Sequence, residues 1–464
     1  SLEQYPLSYP LHCARWMIER SDDARETLLR ITGRRGVNAS LLAGWLLSIG
    51  QTSAVKEVLA VLDSQEALPM LWRASLSDDA NERQQFIAAA EHCHAHNVRF
   101  PNSLDEVQML QSLGDSAFAR YLLGCFWYSK RRYDEAVSCW RETLEKSPDY
   151  APAHRLLGVY SWNKQQDATQ ALAYLQRAVA LEPENARFLF ELDFLQKLLA
   201  RSVHERLTTL VERKAVVLKR DDLTAELLSL WNASGHYADA AAILDTRVFH
   251  PWEGGEGKIT GQYLLNQLHR ALQFIERGAF KQATDCLKAA LRYPDNLGEG
   301  RLLGQTDNDI WYLLGYCAEQ AGDAQQAAEY YQLARQGGST LDAGRYYNDQ
   351  PADYLFWQGI ALRKSGNPAQ AEQHFRHFID WAAQHRDDVP QVDFFAVSLP
   401  DLVVLDVSAQ QRHQQHCLFI EALGHLGLGN VSACQQRMQQ LLQINPAHDK
   451  AHLIRHALQS GIFS

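Results

Sequence analysis

The sequence predicts an all-α solenoid in which helix hairpins stack into a right-handed superhelix, with long inserted loops on one edge. Three observations support this fold class. Leu-Gly steps recur along the chain, and Gly124 and Gly158 lie 34 residues apart. Small residues and one large residue follow each step at helical spacing. Pro148 and Pro183 then end the hairpins, because proline lacks the amide hydrogen and clashes with the preceding turn.

The composition of the 464 residues excludes several classes of protein. A hydrophobic content of 46% is enough for a large buried core, so disorder is not expected. Lys and Arg total 45 against 55 Asp and Glu, and no basic run is present, so we expect no nucleic-acid partner. The longest apolar stretches, such as Leu41–Leu47, are much shorter than the roughly 20 residues of a membrane helix. We therefore expect no membrane-spanning segment.

The eight cysteines are scattered through helical patterns and form no CxxC pair. This usage is typical of reduced, mostly buried thiols and favours a cytoplasmic protein.

The hairpin pattern is clearest in two places. Leu123 and Gly124 are followed by Ala136 and Trp140, and the same pattern returns around Gly315. A glycine on the first helix and an alanine on the second let the backbones approach closely, while a large side chain fills the remaining groove. This pattern resembles the tetratricopeptide repeat family over most of residues 115–460. The second copy consists of Trp311, Leu314, Gly315, Ala327, Tyr331 and Ala334.

The repeat pattern divides the chain into four segments. Divergent helical repeats are expected over 1–112, clear repeats over 113–247, repeats with long loops over 248–408, and a terminal repeat with a capping helix over 409–464. Further expected helical features are Ser40–Ile49, Thr52–Leu62, a helix of Arg83–His96 capped by Asp78, a degenerate pair over Phe188–Leu218 and a last helix of Ala447–Ser460.

The central repeats are longer than the standard unit. When their Leu-Gly steps are aligned, Leu228, Ala271, Gly315 and Gly359 are separated by 43, 44 and 44 residues. Each period exceeds the usual 34 residues by about ten, so a loop is inserted after each second helix. Equivalent insertions emerge on the same edge of a solenoid, and we expect them to be neighbours. The four insertions are Val248–Gly261, Tyr293–Asp307, Gly337–Ala352 and Gln384–Ser408.

Two sets of residues form the predicted binding surface. The loops combine aromatic rings with Asp, Glu and Arg, which suit peptides, polyols or another domain; mutual packing of the loops is the alternative explanation. The first helices of the later repeats carry an aromatic stripe that could receive a peptide or one of the protein's own loops. The loop residues are Trp252, Glu253, Glu256, Arg301, Arg345, Tyr346 and Tyr347, and the stripe is Tyr312, Tyr316 and Phe356.

A narrower resemblance begins at Phe249, with the sequence Phe-His-Pro-Trp-Glu-Gly-Gly-Glu-Gly-Lys. It is similar to the C-terminal repeat region of large bacterial proteins whose N-terminal domain is β-rich and possibly carbohydrate-related. The resemblance implies that the chain is the helical part of such a protein. Since the sequence begins with Ser1 rather than Met, we expect it to be a fragment or a processed form.

Catalytic, metal and cofactor sites are not predicted. Lys258 follows a glycine-rich stretch, but Ile259 stands where a phosphate-binding loop needs Ser or Thr. Glu253 and Glu256 could pair for glycoside chemistry, although nothing beyond their loop position supports this. Histidines recur at i, i+4 spacing without an obvious third or fourth metal ligand. They are His92 and His96, then His448, His452 and His456.

The sequence therefore favours an interaction or intramolecular scaffold protein over an enzyme. Its predicted partner is a protein or peptide, which includes the N-terminal domain of the same polypeptide. The alternative is the helical part of a carbohydrate-binding or carbohydrate-active bacterial protein.

Overall fold

The computed structural model describes residues 1–33, 35–94, 99–344, 349–390 and 404–463. All regular secondary structure in these ranges is helical, which confirms the all-α prediction. The chain forms two compact units, Ser1–Tyr160 and Ser161–Ser464. The finer division into four segments stays a prediction.

The first unit consists of helix hairpins. The predicted helices Ser40–Ile49 and Thr52–Leu62 are confirmed, and the first begins earlier, at Gly36, whose amide donates to the Glu66 carboxylate at 2.7 Å. Its helices are α1 (Tyr9–Glu19), α2 (Asp22–Thr32), α3 (Gly36–Ser48), α4 (Thr52–Leu62), α5 (Ala67–Leu76), α6 (Ala80–His94), α7 (Leu104–Ser112), α8 (Ala117–Ser129), α9 (Tyr133–Lys146) and α10 (Ala151–Tyr160).

Two local predictions in this unit can be compared with the structure. The cap of α6 is Asp79 and not Asp78, because the Asp79 carboxylate accepts from the amide of Asn81 at 2.7 Å. The close approach of α8 and α9 agrees with the repeat pattern. A Cβ atom added at Gly124 would lie 2.4 Å from the indole nitrogen of Trp140, so only glycine fits there.

The second unit also consists mainly of helix hairpins. The predicted degenerate pair over Phe188–Leu218 is found as two helices and one short turn of helix. The elements are a π-helix (Ser161–Gln165), α11 (Ala168–Leu181), α12 (Ala186–Leu198), α13 (Val203–Glu212), α14 (Lys214–Val217), α15 (Asp221–Ser234), α16 (Tyr237–Leu244), α17 (Lys258–Glu276), α18 (Phe280–Ala290), a 3-10 helix (Asp295–Leu297), α19 (Asn308–Gln320), α20 (Ala324–Ala334), α21 (Tyr354–Lys364), α22 (Pro368–His385), α23 (Ala409–Gly427), α24 (Val431–Ile444) and α25 (Asp449–Gln459).

The predicted helix register holds in the core of the second unit. A Cβ atom at Gly315 would lie 2.6 Å from the ring of Tyr331, and one at Gly359 would lie 2.5 Å from Phe375. Each large side chain therefore occupies the space that its partner glycine leaves open.

One loop boundary was predicted too late. The first insertion ends at Gly257, since α17 begins at Lys258, and Gly261 lies inside this helix. Gly257 adopts a left-handed conformation with φ of 73°, which suits glycine. Its amide donates to the Glu299 carboxylate at 3.0 Å, so the second loop caps the helix that follows the first.

The last helix was predicted to cap the array, but α25 also packs against α15 and α17. Its apolar residues Leu453, Ile454 and Ala457 are buried. Its polar side chains find partners on the first helices of earlier hairpins, as in the ion pair of Lys450 with Asp353 at 3.1 Å. These contacts hold α25 against α15 and α17.

Candidate functional site

The first two inserted loops of the second unit are in direct contact. The amide of Phe249 donates to the carbonyl of Asn296 at 2.8 Å, and the Asn296 side chain donates to the carbonyl of Arg247 at 2.7 Å. The third loop joins them around one cavity, which both Thr306 and Gln350 line. The first three insertions therefore lie together, as their equal spacing predicts.

The described end of the fourth insertion has a different neighbour. The Asn163 side chain of the π-helix donates to the carbonyl of Val404 and accepts from the amide of Asp406, both at 2.8 Å. The rest of this insertion, 391–403, lies outside the described residues.

The cavity has a volume of about 660 Å³ and is enclosed by α15, α17, the second and third loops and the start of α25. Its walls combine polar and apolar side chains in similar measure. Uncharged hydrogen-bonding groups from three elements line it, among them Ser229, Thr260, Gln262 and Gln305. Leu303 at the rim is fully exposed. Cavities of this size accept small molecules or short stretches of peptide.

A cationic group lies on the α17 side of the cavity. Lys258 is the first residue of α17, and its ammonium lies 6.0 Å from the centre of the Trp252 ring. Part of the side chain is exposed, yet burial of the ammonium lowers the pKa of Lys258. It forms no ion pair with the residues that the structure describes.

A neighbouring ion cluster supports this wall. Lys197 donates to both oxygens of Glu226, at 2.9 and 3.0 Å, and Arg206 donates to the same carboxylate at 2.9 Å. Burial alone would raise the pKa of Glu226, but Lys197 and Arg206 lower it to about 2. Arg206 also makes a bidentate contact with Asp193, at 2.9 and 2.7 Å. These opposite charges compensate one another, and their hydrogen bonds hold this wall of the cavity in place.

A carboxylate stands on the α25 side. Asp449 accepts from the Ser229 hydroxyl and from the Gln262 amide, each at 2.7 Å. Asn232 donates to the Gln262 side chain at 3.0 Å and accepts from Asn266 at 3.0 Å. This chain of neutral amides positions Asp449, which has no cationic partner among the described residues.

Lys450, the next residue, is already neutralised. Its ammonium lies 3.1 Å from Asp353 and 3.8 Å from Asp309. Burial opposes its charge, but the two carboxylates raise the pKa of Lys450. The same burial raises the pKa of Asp309, with Lys450 acting against it. This cluster ties α25 to α19 and to the residue that precedes α21.

The predicted loop residues that the structure describes lie beside the cavity and do not line it. Trp252 is half-buried and covers Gly255, where a Cβ atom would lie 2.0 Å from the ring. Glu253 and Glu256 are exposed. Arg301 forms an ion pair with the buried carboxylate of Asp307 and so braces the second loop. Arg345, Tyr346 and Tyr347 lie outside the described residues.

The predicted aromatic stripe is covered by the end of the chain itself. Tyr312 is buried and donates to the carbonyl of Ile462 at 3.2 Å, while the Phe356 ring lies 5.4 Å from that of Phe463. Tyr316 is half-buried. An external peptide cannot reach Tyr312 or Phe356 in this arrangement, because residues 460–463 lie over them.

The histidines of the last helix are engaged within the protein. The His448 ring accepts from the amide of Ala451 at 3.2 Å and so caps α25, and burial lowers its pKa to about 4. His452 contacts the carbonyl of Pro446 at 2.7 Å. His456 lies against His269 of α17. The part of the chain that the structure describes holds no group of three or more His, Cys, Asp or Glu arranged to bind a metal.

Sequence reasoning missed the charged residues of the cavity. Lys258 ends a glycine-rich stretch that lacks the Ser or Thr of a phosphate-binding loop, and Asp449 belongs to no motif. One signal was present: Gln262, Asn266 and His269 fall on the face of α17 that should be apolar. Polar residues on a buried helix face need partners, and this was the sign of a built polar site.

A family model described as tetratricopeptide repeat matches residues 127–186 and 268–342. The second match includes the contact of Gly315 with Tyr331. The chain contains tetratricopeptide repeats. None of the helices in the described ranges is long and apolar enough to cross a bilayer.

Several solved structures are similar to this repeat protein at low identity. Yeast Tom70 is 11% identical with a TM-score of 0.30, and 100% of this chain and 96% of that chain are covered. The apo form of the quorum sensor NprR from B. thuringiensis is 12% identical with a TM-score of 0.30, and the covered shares are 82% and 97%. The tetramer of Cut9 and Hcn1 gives 12% identity and a TM-score of 0.24, with shares of 98% and 92%.

Proposed function

We propose that the second unit is a protein-interaction module that binds an extended segment of a partner in the cavity between α17, the inserted loops and α25. The observation that carries the proposal is the open cavity of about 660 Å³, lined by both polar and apolar side chains, where the three insertions meet. Tetratricopeptide repeats commonly act as scaffolds for other proteins, and their inserted loops are natural positions for specific contacts.

The cavity is a better candidate than the inner groove as a whole. Tyr312 and Phe356 of that groove are buried, and Ile462 and Phe463 contact them. The cavity stays open beside α25, and its hydroxyl and amide groups can pair with the backbone of an extended chain. The partner is either a separate protein or another domain of the same polypeptide, since both present such a segment.

A carbohydrate is the second candidate ligand. The observation that favours it is the ring of neutral groups on Ser229, Thr260, Gln262 and Gln305, which suit sugar hydroxyls. A sugar would not require the charges of Lys258 and Asp449. Calorimetric titration with a panel of mono- and disaccharides separates this candidate from the peptide.

A variant that fills the cavity tests the proposal. A random dodecapeptide library is selected on the wild-type protein, and the enriched peptides are titrated by calorimetry. Gly261 lines the cavity, has a helical backbone, and a Cβ atom there meets no heavy atom within 4 Å. Gly261→Trp should therefore place an indole in the cavity and abolish binding.

The matched control is Gly300→Trp. Gly300 is exposed and equally open around its Cβ position, but it does not line the cavity. This variant should bind the enriched peptides as the wild type does. Peptides that bind Gly261→Trp as tightly as the wild type would show that binding takes place elsewhere and would refute the proposal.

A further inference from the structure

Two charges of opposite sign face the cavity without an ionic partner among the described residues. They are the ammonium of Lys258 and the carboxylate of Asp449. The other lysines of the cavity are paired: Lys197 with Glu226, and Lys450 with Asp353. A ligand therefore meets one unmatched cation and one unmatched anion.

Both charges are attached to α17, Lys258 directly and Asp449 through a hydrogen bond. Gln262 donates to Asp449 at 2.7 Å and lies four residues after Lys258 on α17. Four residues of helix rise about 6 Å, so positions 258 and 262, which carry the cation and hold the carboxylate, are roughly one helical turn apart along the cavity wall. In an extended chain, side chains at i and i+2 project from the same face and are about 7 Å apart. Positions 258 and 262 of α17 and alternate positions of an extended peptide therefore repeat at similar intervals.

From this similarity of spacing we infer that the cavity selects an extended peptide segment carrying a basic and an acidic side chain two positions apart. The acidic side chain lies at Lys258 and the basic side chain at Asp449. This inference rests on the proposed function and adds the chemical class of the bound segment.

The surroundings of the two charges favour such a ligand over a singly charged one. Burial lowers the pKa of Lys258 although Glu226 and Asp222 act against it, and no carboxylate among the described residues forms an ion pair with the ammonium. A ligand carboxylate would supply that pair. Asp449 accepts only from neutral donors, so a ligand cation adds a charge-assisted bond to a carboxylate that is already oriented. Between them, Gln262 and Thr260 are within the same wall and can pair with the peptide backbone.

The test uses capped pentapeptides, acetylated and amidated so that only side-chain charges vary. The first pair is Gly-Lys-Ser-Glu-Gly and its reversed order, Gly-Glu-Ser-Lys-Gly. Two further peptides replace either the Glu or the Lys of the better binder by Gln. We expect each replacement to weaken binding about tenfold, as the loss of one charged contact does.

Protein variants assign each charge to its partner. Lys258→Met should weaken the binding of the peptide that carries both Lys and Glu about tenfold. It should leave the affinity of the peptide with Gln in place of Glu unchanged, because that peptide has already lost the contact with Lys258. Asp449→Asn should behave in the same way toward the peptide lacking Lys. The exposed residues Lys281 and Asp239 provide matched controls, Lys281→Met and Asp239→Asn, which should leave all affinities unchanged.

Each outcome separates this inference from the proposed function. If Lys258→Met weakens both peptides equally, or if no capped pentapeptide binds while the library peptides do, the charge assignment is wrong and the cavity still binds peptide. If the library yields no peptide that Gly261→Trp excludes, the proposed function fails and the inference fails with it.

Discussion

The Nδ1 atoms of His269 and His456 lie 2.9 Å apart, and the two rings stack at 18° with their centres separated by 5.2 Å. This pair joins α17 to the last helix. One ring must donate and the other accept, so at least one of the two imidazoles must be neutral and the contact is lost when both are protonated. Tyr237 of α16 stacks on both rings, and Glu276 of α17 lies 3.3 Å from the other nitrogen of His456.

The histidine pair makes stability depend on pH. Burial, together with His456 and His452, lowers the pKa of His269 well below its usual value. Burial also lowers the pKa of His456, with Glu276 acting against it. Because the unfolded chain binds protons more readily, this contribution is complete above about pH 6.5 and is lost as pH falls. For each proton that is bound only in the unfolded chain, the free energy of unfolding falls by about 1.4 kcal/mol per unit decrease in pH.

The measurement is the free energy of unfolding between pH 7.5 and 5. His269→Gln should give a smaller loss of stability toward pH 5 than the wild type. Other buried histidines, such as His448, preserve part of the dependence. The exposed residue His204 gives the control His204→Gln, which should match the wild-type slope. Equal slopes for all three proteins would exclude the pair as a source of the dependence.

Substitution of alanine at two glycines of the second unit should change the stability of the protein in opposite directions. At Gly315 a Cβ atom would lie 2.6 Å from the Tyr331 ring, so Gly315→Ala should cost about 1–3 kcal/mol. At Gly261 the same atom meets no neighbour within 4 Å, and Gly261→Ala should add up to about 1 kcal/mol through helix propensity. Urea unfolding of both variants measures this difference. A stability loss at Gly261 equal to that at Gly315 would contradict the packing described.

Replacement of Asp193 should lower the free energy of unfolding far more than replacement of a surface carboxylate. Its oxygens accept from Arg206, whose side chain is only 1% exposed. Asp193→Asn leaves part of that buried charge uncompensated and should cost about 3–5 kcal/mol. The exposed pair of Arg376 with Glu372 supplies the control, and Glu372→Gln should cost less than about 0.5 kcal/mol. If urea unfolding shows a similarly small loss of stability for Asp193→Asn and Glu372→Gln, the ion cluster around Arg206 contributes little to the stability of the fold.

The sequence predicts the fold because each hairpin carries its own local pattern. Gly124 with Trp140 and Gly315 with Tyr331 are separated by a fixed 16 residues, so close helix pairs are visible as a spacing. The inserted loops are equally visible, since they lengthen the period by about ten residues.

The cavity was not predictable by the same means. Its two walls come from Lys258 and Asp449, which are 191 positions apart, and no period links them. Their proximity depends on α25 lying along α15 and α17. The pattern of apolar residues on each helix does not reveal where the last helix packs. The sequence therefore predicts that this helix caps the array and that the aromatic stripe on the first helices is open.

The measurement that tests the account most directly observes the Lys258 ammonium during binding. Reductive methylation with ¹³C-formaldehyde labels the lysines, and the spectrum of Lys258→Met assigns the Lys258 signal. On titration with a peptide from the library selection, the Lys258 resonance should shift and saturate with the calorimetric affinity, while that of the exposed Lys281 should not move. A Lys258 signal that stays unchanged at peptide saturation would contradict binding in this cavity.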